Sequence, residues 1–153
     1  MKETKKADEL KRVLEEILRL VDAQGNVEAK TSKEGMVNLS ISTETPALLI
    51  GYHGRTLAAL QTILKVIAYK KYGQNNMLLL DVDGWRERRE ETIQQLIKNA
   101  AQRAKDTGIP QPIYDLTPYE RRIAHITLAE DSSMETESEG EGRDRDIVVG
   151  AKG

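Results

Sequence analysis

The chain has 153 residues, 39% of them hydrophobic and 31% charged, which fits one ordinary domain or two small ones and does not have the profile of disorder. Its 23 Lys and Arg against 25 Asp and Glu leave a net charge of −2, so a globally basic nucleic-acid binder is excluded and any such function must rest on local patches. Cys is absent, His occurs twice and no apolar run approaches the roughly 20 residues that span a bilayer, which excludes disulfide scaffolds, thiol catalysis, Cys- or His-rich metal centres and membrane insertion through a helix.

Residues 4–22 predict an amphipathic helix, with Leu10, Val13, Leu14, Ile17, Leu18 and Val21 in one stripe. The N-terminal residues lack an apolar h-region, so no signal peptide is expected and a cytoplasmic protein is the default. Val27, Ala29 and Thr31, then Val37, Leu39 and Ile41, alternate with polar residues around a turn at 33–35, the pattern of a half-buried antiparallel hairpin. Pro46 starts a short helix that stops at Gly51-Tyr52-His53-Gly54. A further helix begins near Arg55, with Leu57, Leu60, Leu64 and Ile67 on one face, and a turn is expected over residues 72–76. Met77 to Val82 predicts a buried strand, completing an α-β-β-α-α-β unit with helices on one face of a small sheet.

Trp85 to about Thr107 predicts the longest helix, with Ile93, Leu96, Ile97, Ala100 and Ala104 inward. Residues 108–112, with two prolines, read as a break. A second short helix follows Thr117, with Pro118 at its first position and Tyr119, Ile123, Ile126 and Leu128 on it. A strand at 134–138 and the apolar run Ile147 to Val149 close a second, β/α unit. The expected division is 4–83 and 84–150, with the long helix joining the two units. The arginines at 86, 88 and 89 alternate with Glu87, Glu90 and Glu91 and predict an exposed ion-paired face.

Two motifs carry chemistry. Gly51-Tyr52-His53-Gly54 lacks two Cβ atoms, so a ligand backbone can approach, and the N–H groups of the helix opening at Arg55 favour a phosphodiester. The competing reading is a helix–helix turn that needs glycine for its own backbone angles. Arg121 and His125 stand four apart on one helix face, where a cation and an imidazole can take a phosphate; the competing reading is a surface Arg beside a partly buried His. Residues 126–142 hold six acidic side chains and no basic one, a stretch that must point away from any phosphate site.

The G-x-x-G loop in its α-β-β-α-α-β setting resembles a KH domain of the prokaryotic element order over residues 5–83. That resemblance implies a clamp holding about four nucleotides by their backbone. The family usually has Lys or Arg in the middle of the loop, where this chain has Tyr52 and His53, with Arg55 just outside. Arg121, Arg122 and His125, followed by Ser138-Glu139-Gly140-Glu141-Gly142 and by Arg143 and Arg145, resemble an R-3-H domain, which binds single-stranded nucleic acid.

The two in this order, with Asp83-Gly84-Trp85-Arg86-Glu87 between them, resemble the bacterial Jag family. Longer relatives carry an extra N-terminal domain, which this chain, opening at the KH helix, is expected to lack. The resemblance implies an α+β fold and non-catalytic binding of single-stranded RNA. It also implies a role in cell-envelope or cell-division control and pairing with a small KH-only protein. The binding residues it implies are Gly51, Tyr52, His53, Gly54, Arg55, Arg121, Arg122, His125, Arg143 and Arg145. No cofactor, metal or small-molecule substrate is expected, since phosphate-loop and nucleophile-elbow motifs are missing and Asp81 with Asp83 reads as a strand end and turn. The alternatives are a protein-interaction scaffold pairing with another KH protein and a metal-dependent nuclease using His125.

Overall fold

The computed structural model describes residues 2–73 and 77–153; the end of the turn expected over 72–76 lies outside them. The chain divides into two compact units, Met1–Arg86 and Glu87–Gly153.

The first unit runs α1 (Lys2–Leu20), β1 (Asn26–Thr31), β2 (Val37–Ser42), α2 (Pro46–Ile50), a 3-10 turn (Tyr52–Gly54), α3 (Arg55–Tyr72) and β3 (Leu78–Val82). β1 and β2 form the antiparallel hairpin, and β3 lies parallel to β2 on its other side. Pairing in this register lines up Val27, Ile41 and Val82 in one row and Ala29, Leu39 and Leu80 in the next, all on one face. Ala7, Leu10, Leu14 and Leu18 of α1 and Leu57, Leu60, Leu64 and Ala68 of α3 bury that face. The opposite face carries Glu28, Ser40 and Asp81. Leu79 shares it and is 37% exposed, so β3 is half-buried rather than buried throughout.

α4 (Trp85–Thr107) begins at the end of the first unit. Its start is fixed by Asp81, whose Oδ1 accepts the Arg86 N–H at 3.2 Å, while Asp83 Oδ2 accepts the Thr43 N–H at 3.3 Å. Arg86 is not on an exposed ion-paired face as expected: its Nε donates to the Leu80 carbonyl at 2.8 Å and its Nη2 to Gln61 Oε1 at 3.1 Å.

The second unit continues with β4 (Gln111–Ile113), α5 (Pro118–Leu128), β5 (Met134–Glu139), a 3-10 turn (Gly142–Asp144) and β6 (Asp146–Ala151). Its sheet is antiparallel in the order β4-β6-β5. The core gathers Ile93, Ile97, Ala100, Ala101 and Ala104 of α4, Ile123, Ala124 and Leu128 of α5, and Met134, Ile147 and Val149 of the sheet. Leu96, Tyr119 and Ile126 are exposed, and Ala101 is buried where the sequence reading had Leu96.

α5 opens with a capping box: Thr117 Oγ1 accepts the Glu120 N–H at 3.2 Å and Glu120 Oε2 accepts the Thr117 N–H at 2.8 Å. The other oxygen of Glu120 meets Arg89 Nε at 2.7 Å, with the two side chains only 5% and 19% exposed. Arg89 is therefore a second exception to the expected solvent face of α4.

Candidate nucleic-acid interface

In the first unit, α2, the 3-10 turn and the start of α3 place Gly51 to Arg55. Both glycines have positive φ, +70° and +79°. A Cβ on Gly51 would lie 2.1 Å from Thr56 Oγ1, and one on Gly54 would lie 2.2 Å from the Trp85 ring. The fold itself thus requires both glycines, and their presence says nothing about a ligand. His53 takes left-handed angles, φ 49° and ψ 33°. Its ring stacks on Tyr52 with centroids 4.0 Å apart and planes 10° from parallel. The Arg55 guanidinium lies 5.2 Å from the Tyr52 centroid, within cation–π reach. The Gly54 N–H donates to the Gly51 carbonyl and the Arg55 N–H to the Tyr52 carbonyl, so N–H groups expected to be free at this helix start are already bonded. What the loop offers a ligand is an exposed Tyr52, its stacked imidazole and a cation.

In the second unit, α5 presents its polar residues on two faces. Arg121 and His125 lie together, one turn apart. Arg121 is half-buried; its Nη1 donates to the Leu116 carbonyl at 2.7 Å and to the Arg145 carbonyl at 3.1 Å. Those bonds fix the guanidinium and tie the loop carrying Arg143 and Arg145 to α5, while Nη2 and Nε make no protein hydrogen bond among the described residues. His125 is exposed. Its Nδ1 contacts Thr136 Oγ1, and its Nε2 lies 3.5 Å from Ser138 Oγ. Arg122 faces elsewhere: it lines a shallow groove with Glu90, Gln94, Tyr119 and Ile126. The structure therefore brings together Arg121, His125 and the Arg143–Arg145 loop and separates Arg122 from them.

The acidic stretch is sorted by the sheet. Strand period puts Thr136 and Ser138 on the α5 side of β5 and Glu135, Glu137 and Glu139 on the opposite side. Asp131 points instead at Lys105, 2.7 Å away; this amine and Ser133 hold its carboxyl down to about 2. Thr136 and Ser138 were not singled out by sequence as binding residues. The alternation of hydroxyl with glutamate over 135–139 was the available signal.

Residues 11–78 match the family described as KhpA/KhpB, KH domain, and residues 91–150 match the R-3-H domain family. RNA-binding protein KhpB of Bacillus subtilis (strain 168) is 31% identical over 141 residues, which is 91% of this chain and 67% of that protein. RNA-binding protein KhpB of Clostridium symbiosum is 34% identical over 123 residues, 80% of this chain and 54% of that protein. The protein of that name from Lactiplantibacillus plantarum is 35% identical over 111 residues, 72% and 34% of the respective chains. The chain thus spans about half the length of the Clostridium relative and about a third of the Lactiplantibacillus one.

Proposed function

The chain belongs to the family of RNA-binding protein KhpB, with a KH domain followed by an R-3-H domain, and from that premise we propose that it binds single-stranded RNA without altering it chemically. The observation that carries this reading is electrostatic. Arg55, Arg121, Arg122, Arg143 and Arg145 form no ion pair among the described residues, in a chain where acids outnumber bases. Unpaired guanidiniums are what a phosphate backbone requires. Arg121 and His125, with the Arg143–Arg145 loop drawn in by the Arg121–Arg145 bond, form one phosphate-binding surface. Tyr52, His53 and Arg55 form the other, with Gly51 and Gly54 shaping its loop. Arg122 is a flanking contact.

In this reading the protein acts in the bacterial cytoplasm as a post-transcriptional regulator linked to the cell envelope or division. Among the described residues no helix is long and apolar enough to cross a membrane. Pairing with a small KH-only protein belongs to the same reading, and the outward residues Ile63, Val66 and Tyr69 of α3, each about half exposed or more, are the surface it would use.

Titration of labelled single-stranded RNA at several salt concentrations tests the proposal. Affinity should fall with salt by roughly 0.7 in logarithmic slope for each phosphate contacted. Binding that is absent, or indifferent to salt, would refute it; cleavage of the RNA on adding divalent metal would replace it with a nuclease.

A further inference from the structure

The two ring nitrogens of His125 have unequal surroundings. Nδ1 is in hydrogen-bond contact with the hydroxyl of Thr136, whereas Nε2 has Ser138 Oγ only at 3.5 Å, the outer limit of a hydrogen bond. Both hydroxyls come from β5, an edge strand whose pairing with β6 sets Thr136 opposite Val149 and Ser138 opposite Ile147. Val149 and Ile147 are fully buried, so the register that keeps them inward also aims Thr136 and Ser138 toward α5. The placement of the Thr136 hydroxyl is thus locked by the core of the unit.

Which imidazole nitrogen carries a proton is set by the bond that the other one makes. A hydroxyl that donates to Nδ1 leaves the proton of the neutral ring on Nε2, whereas one that accepted from Nδ1–H would leave Nε2 bare. We propose that Thr136 is a positioning residue for RNA binding: its hydroxyl donates to Nδ1 of His125, fixes the ring, and leaves the Nε2 proton to a phosphate oxygen of the RNA beside Arg121. This inference rests on the reading of the Arg121–His125 face as a phosphate site. Thr136 acts through His125 and need not touch RNA.

The test uses the full chain with Thr136→Val, Thr136→Ser, Ser138→Ala and His125→Ala. Val matches Thr in shape and suits a strand, so the fold should persist. Two quantities are read: affinity for a labelled single-stranded oligoribonucleotide, and the imidazole nitrogen chemical shifts of His125, assigned by their loss in His125→Ala. In Thr136→Val the shifts should move away from the single Nε2–H form toward a mixture of tautomers, and affinity should fall at least about threefold, approaching that of His125→Ala. Thr136→Ser should restore both. Ser138→Ala should leave the tautomer as it is. The proposal is overturned if Thr136→Val keeps the native shifts, if it keeps native affinity while His125→Ala loses it, or if Ser138→Ala moves the tautomer instead. Native affinity in His125→Ala would sink the phosphate-site reading itself and the role of Thr136 in binding with it, a failure distinguishable because the shifts would still report the Thr136 contact.

Discussion

Gly54 lies directly against the indole of Trp85, so close that a Cβ at position 54 would sit 2.2 Å from the ring. The loop proposed to clamp RNA is therefore packed on the first residue of α4, and its second glycine is a structural requirement whatever the ligand.

Gly54→Ala should destabilise the first unit by about 2–4 kcal/mol, combining left-handed strain with overpacking. Gly73→Ala has a similar φ of +80° but meets nothing within 4 Å among the described residues, and should cost less. Urea unfolding followed by the fluorescence of Trp85, the single tryptophan, measures both. Equal losses in the two variants would remove the collision with Trp85 from the account.

Replacing Tyr52 and His53 together by Asp should leave the fold intact, since Asp tolerates the left-handed angles that His53 adopts. RNA affinity should drop at least tenfold, about 1.4 kcal/mol, from charge repulsion and loss of the ring stack. Circular dichroism and a binding titration on the same sample decide it; native affinity with a native spectrum excludes this loop as a contact.

Arg121→Ala should weaken RNA binding and lower the salt slope by roughly 0.7, one phosphate contact on a single strand. Arg121→Lys keeps the charge but not the guanidinium, whose Nη1 holds the Leu116 and Arg145 carbonyls while Nη2 and Nε are left for a phosphate, so it should bind with intermediate affinity. Faster hydrogen exchange in the Arg143–Arg145 loop should accompany both. A Lys variant that behaves as native would mean the guanidinium does not organise that loop.

Glu120→Gln should cost the second unit about 3–5 kcal/mol, because Arg89 would keep a largely buried charge without its partner. Thr117→Ala removes only the cap and should cost about 1 kcal/mol. Denaturation monitored by backbone amide signals of α5 separates the two; comparable effects would show that the cap rather than the ion pair carries Glu120.

The far end of α3 predicts a pH dependence. Desolvation, followed by its hydrogen bond to Glu9, pushes the Tyr72 hydroxyl up to about 12. The neutral phenol is thus favoured by the fold. Its contribution is complete below the ordinary tyrosine value of about 10 and is lost as pH climbs from there toward about 12. Glu9 has the opposite sign: bonded chiefly to Lys71 and then to Tyr72, its carboxyl lies below the usual glutamate range. Its contribution is present above that range and fades as pH falls through the lowered value. Tyrosinate absorbance of the native protein should show a late component, titrating toward about 12, that is lost in Tyr72→Phe.

Legibility in the sequence followed the range of the interactions. α4 and α5 could be read because Pro118, Thr117 and the glycine after Thr107 mark their ends locally. β4 was missed because Pro110 and Pro112 look like a break; Pro112 is accommodated because β4 is an edge strand, where a missing N–H need not interrupt the ladder. Arg89 and Glu120 are 31 positions apart, and nothing local says that they meet. Arg121 and Arg122 look equivalent in the chain, yet one turns to the Leu116 carbonyl and the Arg145 loop and the other to the groove with Tyr119. Thr136 and Ser138 gain meaning only once the sheet register aims them at His125.

That same register has a consequence for self-association. β5 is a sheet edge, with backbone groups available to a strand from another molecule. A second β5 laid against the first would bring the glutamates at 135, 137 and 139 of both copies onto one surface, like charge facing like charge. The strand that orients His125 on one side thus guards its own open edge on the other, keeping the sheet at three strands.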